Sequence, residues 1–141
     1  MSENLNLAKK MLLEEELTCA FIKDSAIYKS KKRGVLPLIE WYDQGLNLKD
    51  FSVADKVVGK AAAFLYVILE IKELYADVIS KSALELLIKN NINVSFGLLV
   101  DYIRNRTNTG FCPMEQATIN IDSPAEAVVA IKNKINELNS K

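Results

Sequence analysis

Apolar residues recur along this chain at helical spacing in some stretches and in short alternating runs in others. Leu5, Ala8 and Leu12 fall on one stripe of residues 3–15, with Glu3, Lys9 and Lys10 away from it, which predicts an amphipathic helix. The run L-T-C-A-F-I-K at 17–23 is rich in β-formers. Asp24-Ser25 is turn chemistry, and A-I-Y-K-S follows at 26–30, so this stretch predicts a β-hairpin. Lys31-Lys32-Arg33-Gly34 reads as a basic loop. Pro37 opens a short helix through Tyr42, and Gly45 closes it.

From Ser52 the pattern predicts a helix that Ser52 caps and that runs to about Leu69. Its second half, A-A-A-F-L-Y-V-I-L, is apolar on every face and therefore expected to be buried all round. L-Y-A-D-V-I-S at 74–80 reads as a central strand. S-A-L-E at 82–85 has the form of a capping box opening a helix to about Asn90, with Asn91 as its stop. I-N-V-S-F at 92–96 alternates at period two and predicts another strand, while 98–103 fits helix or strand equally. A polar loop at 105–110 precedes a short helix from Pro113. S-P-A-E at 123–126 is a second capping box, and Val128, Ile131, Ile135 and Leu138 form the stripe of a final helix. No repeat, linker or low-complexity tract divides the chain, so one domain is expected over 1–141: an α/β sandwich with helices on both faces of a small sheet.

Composition changes this picture little. Half the residues are hydrophobic and 26% are charged, as in an ordinary globular domain. Lys+Arg and Asp+Glu both number 18, so net charge points to neither nucleic acid nor membrane as a partner. The longest apolar run, Ala61 to Leu69, is too short to span a bilayer, and the acidic N-terminus lacks the form of a signal peptide. Two cysteines, Cys19 and Cys112, suggest no disulfide framework, and a reducing cytoplasmic location is expected. With no histidine and two widely separated cysteines, neither a zinc site nor another metal or cofactor is expected.

Two polar signatures stand out against this background. In V-A-D-K-V-V-G-K at 53–60, Lys56 and Lys60 are four apart, so on a helix they share a face with Phe64 and Val67 and point inward. A buried ammonium needs a carboxylate or an anionic ligand beside it. Gly59 costs about 1 kcal/mol relative to Ala inside a helix, so something is expected to approach its backbone closely. In N-R-T-N-T-G-F-C-P-M-E at 105–115, Cys112 stands where a capping box has Ser or Thr, with Pro113 first in the helix and Glu115 third. There the helix dipole would favour the thiolate, and Arg104 or Arg106 would add to that. No histidine exists to act as base, so Lys60 or Glu115 would have to serve. Asn105, Arg106 and Thr107 offer amide, guanidinium and hydroxyl donors for a phosphate or carboxylate.

The runs at 53–63, 75–87 and 105–115 together resemble an uncharacterised, mostly bacterial family of unknown function, assigned a cytidine-deaminase-like fold, over about Leu7 to Val129. The resemblance implies a three-layer sandwich with a mixed sheet of about five strands between helices. It also implies a pocket where two helix N-termini meet. Working deaminases carry a zinc-binding His or Cys on the first helix and Pro-Cys-x-x-Cys on the second. The corresponding segments here read Asp55-Lys56-Val57-Val58-Gly59-Lys60 and Ser80-Lys81-Ser82-Ala83, so every expected zinc ligand is missing and zinc-dependent deamination is not expected.

Three functional readings follow. In the first, the chain binds a small anionic molecule, such as a nucleotide or related metabolite. Asp55, Lys56, Gly59, Lys60, Ser80, Asn105, Arg106, Thr107 and Glu115 form the site, which Asn105 and Arg106 close. In the second, the chain is an enzyme of another class with Cys112 as nucleophile. In the third, it is an interaction module with an apolar patch around Trp41 and Leu46. Homo-oligomerisation is compatible with all three.

Overall fold

The computed structural model describes residues 2–104 and 112–139. The N-terminal helix α1 spans Glu3–Glu14 and buries the expected stripe of Leu5, Ala8 and Leu12. The hairpin forms from β1 (Cys19–Lys23) and β2 (Ala26–Ser30), and α2 covers Leu36–Asp43 with Pro37 in its first turn.

The expected helix from Ser52 is instead a strand followed by a helix: β3 (Ser52–Val58), Gly59 as an extended cap, then α3 (Lys60–Leu69). Val53, Val57 and Val58 are β-branched and favour the pleat, and the fully extended Gly59 interrupts any helix through it. Lys56 and Lys60 consequently do not share a helical face. Lys56 is exposed on β3, where its amide donates to Thr18 O at 3.1 Å.

β4 (Glu73–Ser80) leads into α4 (Lys81–Lys89), and β5 (Asn93–Val100) extends the expected strand through Val100. The cap of α4 is Ser80, whose Oγ accepts from the Ala83 amide at 3.3 Å, rather than Ser82 of the S-A-L-E sequence. Short α5 (Pro113–Thr118) and long α6 (Pro124–Asn139) complete the chain.

The strands form one mixed sheet in the order β2-β1-β3-β4-β5. β1 runs antiparallel to β2 and β3, whereas β3, β4 and β5 are parallel. On one face α1 packs on β1 and β3, and Ala8, Leu12 and Leu17 meet Ala20, Ile22 and Ala54. The other face carries the larger core, which α2, α3, α4 and α6 cover. Helices thus flank both faces, as expected for an α/β sandwich.

At the centre of the larger core lies α3, with Ala61, Ala62, Ala63, Phe64, Leu65, Tyr66 and Leu69 all buried. Both Val53 and Val58 belong to this core although they are five apart, so the alternation of β3 slips between them and leaves Lys56 and Val57 exposed. On the opposite side of the sheet, the buried Glu73 accepts from Ser52 Oγ at 2.5 Å and from Ser2 Oγ, the cap of α1. This contact fixes α1 to the head of the parallel strands. Trp41 packs edge-on against Phe21 at 5.1 Å, and Leu46 is half-buried against the core, so neither forms the expected exposed patch.

The capping assignment is testable by thermal unfolding. Ser80→Ala is expected to cost about 1 kcal/mol, and Ser82→Ala only a few tenths. Equal losses would contradict it.

Candidate functional site

Parallel pairing of Val58 with Ile79 brings Gly59 level with Ser80, so α3 and α4 begin side by side at the carboxyl ends of β3 and β4. The chain itself occupies both N-termini. Ser80 caps α4. At α3, which has no side-chain cap of its own, the amide of Lys60 donates to Glu115 Oε1 at 2.6 Å. Glu115 was expected to cap its own helix, but the Cys112 amide is already taken by Ile103 O at 3.0 Å. The carboxylate instead bridges to the start of α3, where the unpaired amides and helix dipole favour negative charge.

Gly59 makes this contact sterically available. A Cβ at this position would stand 2.0 Å from Glu115 Oε1 and 3.1 Å from Ile103 Cγ1. What approaches Gly59 closely is therefore a carboxylate of the same chain. Burial pushes the Glu115 carboxyl above the usual range, against the opposing pull of the Lys60 amide and charge. The Lys60 ammonium does not point into the core. It donates to Ile119 O at 3.1 Å and stands 5.7 Å from the centre of the Phe64 ring, fastening the end of α5 to α3.

Asp55 is buried on the opposite flank of the same strand, beside Cys19 in the β1–β3 register. Tyr66 of α3 donates its hydroxyl to Asp55 Oδ2 at 2.5 Å, and the Val57 amide donates to Oδ1 at 3.3 Å. Burial raises the Asp55 carboxyl to about 7, opposed by the Tyr66 and backbone hydrogen bonds. Burial also raises the Tyr66 phenol well above its usual range, so it remains a donor, and pushes up the Cys19 thiol. The sequence carried a signal for this cluster that its pattern alone left unread. A tyrosine within a helix apolar on every face needs a buried partner for its hydroxyl.

Cys112 is half-buried before the six-residue α5 and makes no side-chain capping bond. Asn105, Arg106 and Thr107 lie outside the described residues. The site residues expected from the sequence thus fall into separate places. Gly59, Lys60 and Glu115 form the α3–α5 junction, Asp55 joins Cys19 and Tyr66, Ser80 is a buried cap, and Lys56 is exposed on β3.

An open concavity lies next to this junction. Val57, Val78 and the run from Leu99 to Arg104 line a cleft of about 560 Å³ at the carboxyl ends of the three parallel strands. At this cleft Asp101 pairs with Lys81, the first residue of α4, at 2.8 Å. That ion pair holds the Asp101 carboxyl below its ordinary value and the Lys81 ammonium above its own. The Arg104 guanidinium stands 5.1 Å from the Tyr102 ring.

The family model for TM1506, a domain of unknown function (DUF1893), matches residues 7–135. The chain belongs to the DUF1893 family. A crystal structure of a DUF1893 family protein from Thermotoga maritima superposes with a TM-score of 0.87 at 28% identity, covering 95% of this chain and 92% of that one. No curated protein matches. The DUF1893 match spans α3, both helix N-termini and Glu115, so the junction lies wholly within the family's domain. Among the described residues, no helix is long and apolar enough to cross a membrane.

Two measurements test this geometry. Gly59→Ala is expected to destabilise by about 1–3 kcal/mol through displacement of Glu115, and by much less in a Glu115→Ala background. Simple additivity of the two changes would contradict the contact. For Asp55, the folded state holds the proton more tightly than the unfolded chain, where the carboxyl titrates near about 3.9. Its contribution is therefore full below about pH 4 and lost as pH rises through about 7. Relative to wild type, Asp55→Asn should gain in melting temperature across that window. A constant difference would contradict the assignment.

Proposed function

We propose that the chain is a small-molecule-binding protein whose site is the cleft at the carboxyl ends of β3, β4 and β5. The observation that carries this reading is the cleft itself, about 560 Å³ with Val57, Val78 and Leu99 as apolar lining. Small-molecule sites typically occupy roughly 300–1,000 Å³ and combine an apolar lining with a few placed polar groups. In parallel sheets, ligands characteristically bind outside the carboxyl ends of the strands. The deaminase-like reading of the fold, which puts a pocket at two helix N-termini, supports the same end of the sheet.

The ligand is an anionic metabolite with a flat or apolar body. Arg104 lines the cleft and supplies a guanidinium suited to phosphate or carboxylate. Lys81 stands beside it through its ion pair with Asp101. The α3 N-terminus is not offered to the ligand, because Glu115 already supplies the negative charge there. Lys56, Lys60 and Ser80 are accordingly supporting residues in this reading. The reading is one of binding: the described lining offers Arg104 and the Lys81–Asp101 pair as polar groups beside an apolar wall.

A thermal-shift panel of nucleotides, sugar phosphates and carboxylic acids tests the proposal. A ligand present at about 100 times its dissociation constant adds about 2.7 kcal/mol of stability. Val57→Trp, which fills the cleft, should abolish the shift, and Arg104→Met should weaken it at least tenfold in affinity. A shift that survives both substitutions would place the ligand elsewhere.

A further inference from the structure

The wall of the cleft depends on a departure from regular strand geometry that two neighbouring strands share. Successive side chains of a strand alternate between its faces, so residues an odd number apart point opposite ways. In β4, Ala76 and Ile79 are three apart and both belong to the larger core. In β3, their register partners Asp55 and Val58 are likewise three apart and both buried. Between them stand Val57 and Val78, paired in the same register, and these line the cleft. Alternation would turn Val57 the same way as Asp55, toward α3, yet it is 47% exposed.

The hydrogen bonds of Asp55 account for this turn on β3. Its Oδ1 accepts from the Val57 amide two residues on, at 3.3 Å, a local side-chain bond that competes with regular strand geometry. Its Oδ2 accepts from the Tyr66 hydroxyl of α3 at 2.5 Å. One carboxylate therefore joins the central helix to a residue that forms the cleft wall. We propose that Asp55 is a positioning residue of the cleft: ionised, it holds Val57 in place through both oxygens, and on taking up a proton it releases that hold. The inference rests on the reading of the cleft as the ligand site, and it makes that site responsive to pH.

The chemistry follows from the lone pairs. A carboxylate accepts on both oxygens, whereas a carboxylic acid has turned one of them into a donor. The remaining carbonyl is also the weaker acceptor, because hydrogen bonds to an ionised group are about twice as strong. The surroundings make the proton exchangeable near neutrality. Burial raises the Asp55 carboxyl to about 7, while the Tyr66 and backbone bonds pull the other way. Asp77 on β4 adds a repulsive charge, and Cys19 on β1 stays a neutral thiol. From the other face α1 presents the apolar Ala8 and Leu12, and Lys56 beside Asp55 is exposed. Val57 and the domain as a whole thus respond oppositely. As pH rises through about 7, Val57 becomes better held while the fold loses the contribution of protonated Asp55.

NMR of the full chain without added ligand tests this. The Val57 amide and the Val57 and Val78 methyl groups should shift together, with a midpoint of about 7. Corrected for the intrinsic exchange rate, protection of the Val57 amide should rise roughly fivefold through that midpoint, while that of core amides such as Val53 and Leu74 falls. Tyr66→Phe removes a bond that favours the ionised form and should move the midpoint upward. Asp55→Asn should abolish the titration. Methyl groups of Val57 and Val78 that stay still while the amide titrates would overturn the proposal, because Asp55 would then change charge without moving the wall. So would Val57 protection that follows the core amides, or a titration that survives in Asp55→Asn. The wild-type readouts decide the matter even if a variant fails to fold. They need no ligand, so their failure leaves the cleft's assignment standing, and a flat thermal-shift panel would sink that assignment without touching them.

Discussion

The fold is organised around the burial of α3, a helix apolar on all sides whose N-terminal amides must nevertheless find acceptors. A helix of this composition needs cover in every direction, and β3, α2, α4, α5 and α6 supply it. Its first amide is answered by Glu115, from an element 55 residues further along the chain. The absence of a side chain at Gly59 leaves the room for that carboxylate. One charged hydrogen bond thus fixes the C-terminal part of the domain to the end of the central strand.

That arrangement has a functional consequence. A helix N-terminus beside a parallel sheet is a natural place for a ligand anion, but here the protein's own carboxylate stands at α3 and its own serine at α4. Lys60, positively charged and at the same spot, is engaged with Ile119. In the proposed reading the ligand instead meets the cleft a few residues away, which Arg104, Asp101 and Tyr102 line together with Val57, Val78 and Leu99. The Asp55–Tyr66 pair lies beneath the same strand and is closed, which suits it to a stability role coupled to protonation rather than to contact with a ligand.

Much of the fold was legible because each element carries its own local signal. The stripe of Leu5, Ala8 and Leu12, the Asp24-Ser25 turn and the prolines at 37, 113 and 124 all mark elements that form. The misreading of 52–58 came from extending the helical run backwards from α3 past Gly59. The three valines of that stretch were the contrary evidence. β5 was legible only to Phe96, because a strand with little cover on its second half shows no alternation there to read. Ser80 and Ser82 are both plausible caps by pattern, and only the observed hydrogen bond separates them. The candidate site was less legible than the fold. Gly59 and Glu115 were recognisable as unusual, but their pairing depends on a contact distant in sequence. The cleft is assembled from three strands whose order no local pattern gives.

The most direct test of the Glu115–α3 contact is the amide proton resonance of Lys60, followed by NMR as a function of pH. An amide donating to a buried carboxylate should lie well downfield and move upfield as Glu115 takes up its proton, with a midpoint above the ordinary glutamate range. It should lose that titration in Glu115→Gln. A Lys60 amide at an ordinary shift, unchanged by pH, would mean that the carboxylate does not hold α3. The helix N-terminus would then again be open to a ligand.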